Sequence, residues 1–200
     1  MTDYNDEQPT LFDMPPAPNP ARFDCVYTDG EWPTEIDCPK QQPRTAIFIG
    51  YLEWSWSPAN SRIESYYLST NRRHTHWILW GSIYDAEHDD YKQGPQAYCP
   101  KKGVTAKTAA VNLILTAWQG EITTYRSEPL EPFHGFSEGL LSGEELHALL
   151  AEMTLNVADI YKKFGEYKDA EIFYRFFIKT YQGYDFASEV EKAKIALEDL

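Results

Sequence analysis

The stretch from Leu146 to Leu200 constrains the fold most, because its apolar residues recur at helical spacing and must pack on something. Leu146, Leu149, Leu150, Met153, Val157, Ile160, Tyr161 and Phe164 form one apolar stripe and predict a helix of about twenty residues. Ser142, with Glu145 three residues on, has the spacing of a capping box at its start, and Gly165 ends it. A second helix is expected from about Lys168 to Tyr181, with Gly183 as its stop. Asp185 or Ser188 starts a last helix, which carries Phe186, Val190, Ala193, Leu197 and Leu200.

The chain ahead of these helices changes period. Residues 45–56 are rich in β-branched and aromatic side chains and predict a strand, residues 61–69 a second, and residues 74–84 a third. The turns between them are Ser57-Pro58-Ala59-Asn60 and Asn71-Arg72-Arg73. Short turns predict a three-stranded antiparallel meander. Residues 85–103 are polar and turn-rich and read as a long loop, with a short strand allowed at 96–99. Thr105 then caps a helix running to about Trp118, and Gly120 is its expected stop. The expectation is an α+β chain. Residues 44–120 form a β-β-β-α domain, 121–141 a connector and 142–200 a helical hairpin with a final helix.

Residues 1–43 are an arm of different composition. They hold nine acidic residues against two basic ones, and Pro15, Pro16, Pro18 and Pro20 exclude a helix there. Phe23, Val26, Tyr27, Trp32 and Ile36 are expected to drape the arm over the folded part. The whole chain carries a net charge of −13 and an isoelectric point near 4.7, which opposes direct binding to phosphate backbones. Three cysteines without close pairing (Cys25, Cys38 and Cys99) argue against a disulfide framework and against a common structural zinc site. No apolar run is long enough for a membrane span, so a cytoplasmic location is expected.

Two short stretches resemble known families. Residues 154–181 resemble one tetratricopeptide repeat, with its small residues at Ala158 and Ala170, its tyrosine at Tyr161, its turn glycine at Gly165 and its later aromatic at Tyr174. Small residues at those places let two antiparallel helices approach closely. Phe177 stands where that repeat has a small residue. Within the arm, Gln8-Pro9-Thr10-Leu11-Phe12 resembles the peptide by which bacterial replication and repair proteins dock on the DNA sliding clamp. That resemblance implies Leu11 and Phe12 as apolar anchors and Gln8 as an amide contact.

Catalytic patterns are weak. His74 and His76 alternate on the third expected strand, so they should share a sheet face. Together with His88, Asp89, Asp90 and Cys99 they are the only metal candidates, and no cofactor is expected. No nucleophile elbow or phosphate loop occurs in the sequence. Trp54 and Trp56 share a parity, whereas Trp77 and Trp80 do not, so at least one tryptophan should face away from the covering helix. It is there either covered by the arm or the C-terminal helices, or offered to a partner.

The reading that follows is a non-enzymatic, acidic protein–protein interaction protein, an adaptor or inhibitor of the style carried by phages and mobile elements. Partner contacts are expected at Gln8, Leu11, Phe12, Trp54 and Trp56, with an acidic surface at Asp85, Glu87, Asp89 and Asp90. The partner would be a protein, such as a DNA-processing complex or sliding clamp, or a second copy in a homodimer. One alternative is a nucleic-acid mimic of the anti-CRISPR or anti-restriction type, whose carboxylates would occupy a basic groove. The other is a small metal-dependent enzyme using His74, His76 and His88.

Overall fold

The computed structural model describes residues 24–28, 30–57, 60–85, 90–124, 135–183 and 186–200. In chain order the elements are β1 (Val26–Tyr27), β2 (Ile47–Ser57), β3 (Asn60–Thr70), β4 (His76–Asp85), β5 (Asp90–Pro100), α1 (Ala106–Thr124), β6 (Gly135–Glu138), α2 (Gly143–Phe164), α3 (Tyr167–Tyr181) and α4 (Ala187–Glu198). The class is α+β, as expected.

The sheet is larger than a three-stranded meander. Among the described residues it has six antiparallel strands in the order β1-β5-β4-β3-β2-β6. The stretch read as a loop with a short strand allowed at 96–99 supplies the longer β5, which contains 96–99 and pairs with β4 from His76/Pro100 to Asp85/Asp90. Gly94 and Pro95 hid the rest of it. The register slips between Leu79/Ala97 and Trp80/Pro95, so Gln96 is the extra residue of a bulge, and a bulge is one of the few places where a strand accepts proline. At the other edge, β6 lies within the expected connector and pairs with β2 from Gly50/Glu138 to Glu53/Gly135.

Both faces of the sheet are covered. On one side Ile49, Leu52, Tyr66, Leu68, Trp77, Leu79, Ala97 and Cys99 pack against α1, in a core that continues into α2, α3 and α4. Helix α1 is buried nearly all round, at Ala109, Ala110, Leu113, Ile114, Ala117 and Trp118 among others, because it lies between the sheet and α2. On the other side Ile78 and Trp80 are sealed by Trp32, Ile36 and Cys38 of the arm. Trp80 has no exposed surface; its indole Nε1 donates to Ser69 Oγ at 2.8 Å, and Trp32 meets it edge-on at 6.1 Å. The tryptophan that had to face away from the helix is therefore Trp80, and the arm covers it. Trp77 faces α1 and donates from Nε1 to the Val104 carbonyl at 3.0 Å.

Thr105 caps α1 as expected, accepting from the Thr108 amide at 3.2 Å. Gly120 does not stop it; the helix runs on to Thr124. This glycine makes room, since a Cβ there would lie 2.3 Å from the Tyr27 ring of the arm. The capping box at Ser142 is present, with the Ser142 amide donating to Glu145 Oε2 at 2.8 Å and the Glu145 amide to Ser142 Oγ at 3.3 Å. Gly165 closes α2 in the left-handed region, at φ 79°. Helix α4 begins at Ala187, between the two expected starts.

Candidate functional site

Helices α3 and α4 close the molecule on the side away from the sheet. On α3 the buried residues are Ala170, Phe173, Tyr174, Phe177 and Tyr181, and the opposite stripe is Lys168, Ile172, Arg175 and Lys179, all exposed. On α4 Val190 and Ala193 are buried, whereas Glu191, Lys194, Ile195 and Glu198 are exposed. Among the described residues, the three most exposed large apolar side chains are Tyr167 (52%), Ile172 (53%) and Ile195 (53%), all on these two helices. Each isoleucine sits beside an intrahelical ion pair, Glu171 with Arg175 at 2.7 Å and Glu191 with Lys194 at 3.4 Å. Such exposed pairs add little stability. They leave an apolar side chain framed by fixed charges of both signs.

Beneath this surface the helices are locked by aromatic rings. Phe177 is fully buried and meets Tyr181 at 4.8 Å and Phe186 at 6.4 Å, and His147 of α2 joins the group at 5.0 Å from Tyr181. Ala158 and Ala170 are fully buried, and the Tyr174 hydroxyl donates to Asp159 Oδ1 at 2.5 Å. Burial, followed by that carboxylate, pushes the Tyr174 phenol up. Phe177 thus belongs to an aromatic group that joins α2 and α3 to Phe186 at the start of α4.

The expected site residues fall as follows. Gln8, Leu11, Phe12, Glu87, His88 and Asp89 lie outside the described residues, as do the side chains of Trp54, Trp56, Asp85 and Asp90. His74 and His76 do not share a strand face. Strand β4 begins only at His76, and His74 sits in the preceding turn with φ 56°. The His74 ring Nδ1 bonds Thr70 Oγ1 at 2.8 Å, and His76 Nδ1 bonds Thr75 Oγ1 at 2.9 Å. Among the described residues no group of three or more His, Cys, Asp or Glu is placed to hold a metal ion.

The turn between β3 and β4 clasps the arm instead. Asn71 is buried; its side-chain amide donates to the Ile36 carbonyl, and its Oδ1 accepts from the Thr75 amide at 2.8 Å and the His76 amide at 3.1 Å. Asp37 of the arm lies 3.7 Å from both Arg72 and Arg73. The Tyr98 hydroxyl donates to Glu35, which holds that carboxyl below its usual range, while burial and Glu35 push Tyr98 up to about 12.

A buried carboxylate, Glu64, escaped the sequence reading. The β3/β4 ladder ends at Tyr67/Trp80, and beyond it Glu64 Oε1 accepts from the Ser82 amide at 3.1 Å and from Gln96 Nε2 at 2.6 Å. Its parity with Tyr66 and Leu68 is the signal that would have placed it on the core face. Its side chain takes the place of a missing ladder partner, which is a structural role.

Between α1 and α2 a small apolar cleft of about 10 Å³ is lined by Leu115, Trp118, Ile122, Met153, Val157 and Ile160. That is far below the roughly 300–1,000 Å³ of small-molecule sites. No helix among the described residues is long and apolar enough to cross a membrane. Comparison with protein-family models, curated proteins and solved structures found no match.

Proposed function

We propose that this chain is a non-enzymatic interaction protein, an adaptor or inhibitor, which meets a protein partner through the outer surface of α3 and α4. One observation carries the reading: the two most exposed large apolar side chains among the described residues, Ile172 and Ile195, stand on the faces of α3 and α4 turned from the core. Half-exposed apolar side chains ringed by charges have the make-up of an interface centre with a polar rim. The arm seals Trp80, and Phe177 is buried among aromatic rings, so neither is offered for contact. The net charge of −13 favours a partner surface of positive potential around these anchors. A second contact through Gln8, Leu11 and Phe12, of the sliding-clamp type, is compatible with this reading and independent of it.

The test is capture from a lysate of the source cells on immobilised full-length chain. Wild type is compared with Ile172→Asp/Ile195→Asp and, separately, with Leu11→Ala/Phe12→Ala. The reading expects a stoichiometric protein that the isoleucine variant loses by tenfold or more while its circular dichroism is unchanged. Equal capture by wild type and the isoleucine variant refutes it.

A further inference from the structure

Two cysteines 74 positions apart meet across the sheet edge. Strand β1 pairs with β5 at Val26/Tyr98 and Tyr27/Ala97, so one step further along the register places Cys25 opposite Cys99. The Thr28 amide donates to the Gln96 carbonyl at 2.9 Å, which makes Thr28/Gln96 a hydrogen-bonded pair. Antiparallel pairs alternate, so Val26/Tyr98 is of the same kind and Cys25/Cys99 is a non-hydrogen-bonded pair. Facing Cα atoms in such a pair are about 4.5 Å apart. Bridged cysteines need about 4.4–6.8 Å, so the backbone already has the spacing of a cross-strand disulfide.

Their surroundings divide the labour between the two thiols. Cys99 is fully buried, whereas Cys25 is half-exposed and both are free. The neighbouring Cys99 thiol is the main cause that lowers the Cys25 pKa, against burial and the Asp24 charge. The same neighbour, and then burial, raises Cys99. Cys25 is thus the more acidic and the more accessible thiol, and Cys99 the protected one. Cys38 is a contrast: it is buried against Ile78 and Trp80, and burial raises its pKa to about 11.

We propose that Cys25 and Cys99 form a peroxide-reactive thiol pair, in which Cys25 is oxidised first and Cys99 resolves it to an intramolecular disulfide joining β1 to β5. The Cys25 thiolate attacks the outer oxygen of a hydroperoxide, the O–O bond breaks, and an alcohol or water leaves after taking up a proton. Cys99 sulfur then displaces hydroxide from the Cys25 sulfenic acid; the thiol proton leaves with it as water. Two thiols and one hydroperoxide become one disulfide, one alcohol or water and one further water. The bond would tie β1 covalently to β5 at the edge of the sheet.

The test treats the reduced full-length protein with hydrogen peroxide, alkylates it and maps peptides without reduction. The expected result is a Cys25–Cys99 linked peptide two hydrogens lighter than its parts, loss of both thiols at one rate, and Cys38 still alkylatable after unfolding. Cys38→Ser should behave as wild type, and Cys99→Ser should accumulate a dimedone-trapped Cys25 sulfenic acid. Thiols of Cys25 and Cys99 both surviving peroxide would overturn the proposal. So would wild-type Cys25 advancing to the sulfinic acid with Cys99 still free.

Discussion

At the scale of single residues, space and charge explain features that spacing could not. Gly120 reads as a helix stop, yet it lies inside α1 with Tyr27 against it. Sequence records that a side chain is absent but not which ring fills the gap, because Tyr27 is 93 positions away. Gly120→Ala should therefore lower stability by about 1–3 kcal/mol through forced displacement of that ring. Urea unfolding followed by circular dichroism measures it, and an unchanged midpoint would contradict the packing described. Two glutamates on α2 should respond to pH in opposite senses. Burial opposes the charge of Glu145, but hydrogen bonds from Lys107 and from Ser142 outweigh it and hold its pKa low. A depressed carboxyl stabilises the fold above its unfolded pKa and loses that as pH falls through the folded value. Glu152 is raised by burial, so stability is lost as pH rises from its unfolded value through its higher folded value. Hence Glu145→Gln should destabilise and Glu152→Gln stabilise at pH 7; on acidification the Glu152 difference should vanish at the ordinary carboxylate range, and the Glu145 difference only at still lower pH, once its lowered folded value is passed. Urea midpoints from pH 7 to pH 3 give the comparison.

At the scale of elements, legibility followed the locality of the signal. The capping box at Ser142, the stop at Gly165 and the end of α3 at Tyr181 depend on neighbours within a few residues, and all three stand where spacing puts them. Strand β5 was legible only at 96–99, because the rest of its evidence is a bulge, which exists only against a partner strand. The pairing of β1 with β5 has the same cause, and with it the meeting of Cys25 and Cys99. His74 looked like a strand residue by alternation, but Asn71 closes the turn over it and starts β4 two residues later. Phe177 is large where the tetratricopeptide pattern has a small residue, and it is fully buried against Tyr181 and Phe186. Phe177→Ala should cost about 3–5 kcal/mol, since a fully buried ring is removed. Chemical denaturation measures the loss, and a change under 1 kcal/mol would place the ring outside the core.

At the scale of the whole molecule, charge is unevenly spread. The first 43 residues hold nine acids against two basic residues, whereas residues 44–141 hold ten against nine. The part of the arm that is described does structural work, with Trp32, Ile36 and Cys38 sealing the sheet. The sequence suggested tryptophans and carboxylates as the contact surface. The exposed residues of α3 and α4 were hidden in the same pattern that announced the helices, because Ile172 and Ile195 look like core positions until the opposite faces are seen to be buried. Apolar anchoring and phosphate mimicry then differ in their dependence on salt. Mimicry rests on many screened charges, and contact through Ile172 and Ile195 on burial of apolar surface. The deciding measurement is the dissociation constant of the captured partner by calorimetry, between 50 mM and 500 mM salt, for wild type and Ile172→Asp/Ile195→Asp. The account predicts a wild-type constant that changes by less than about tenfold with salt, and a variant weaker by at least about tenfold. Weakening by about 10³-fold or more with salt, together with no effect of the variant, would contradict it and identify the carboxylates as the binding surface.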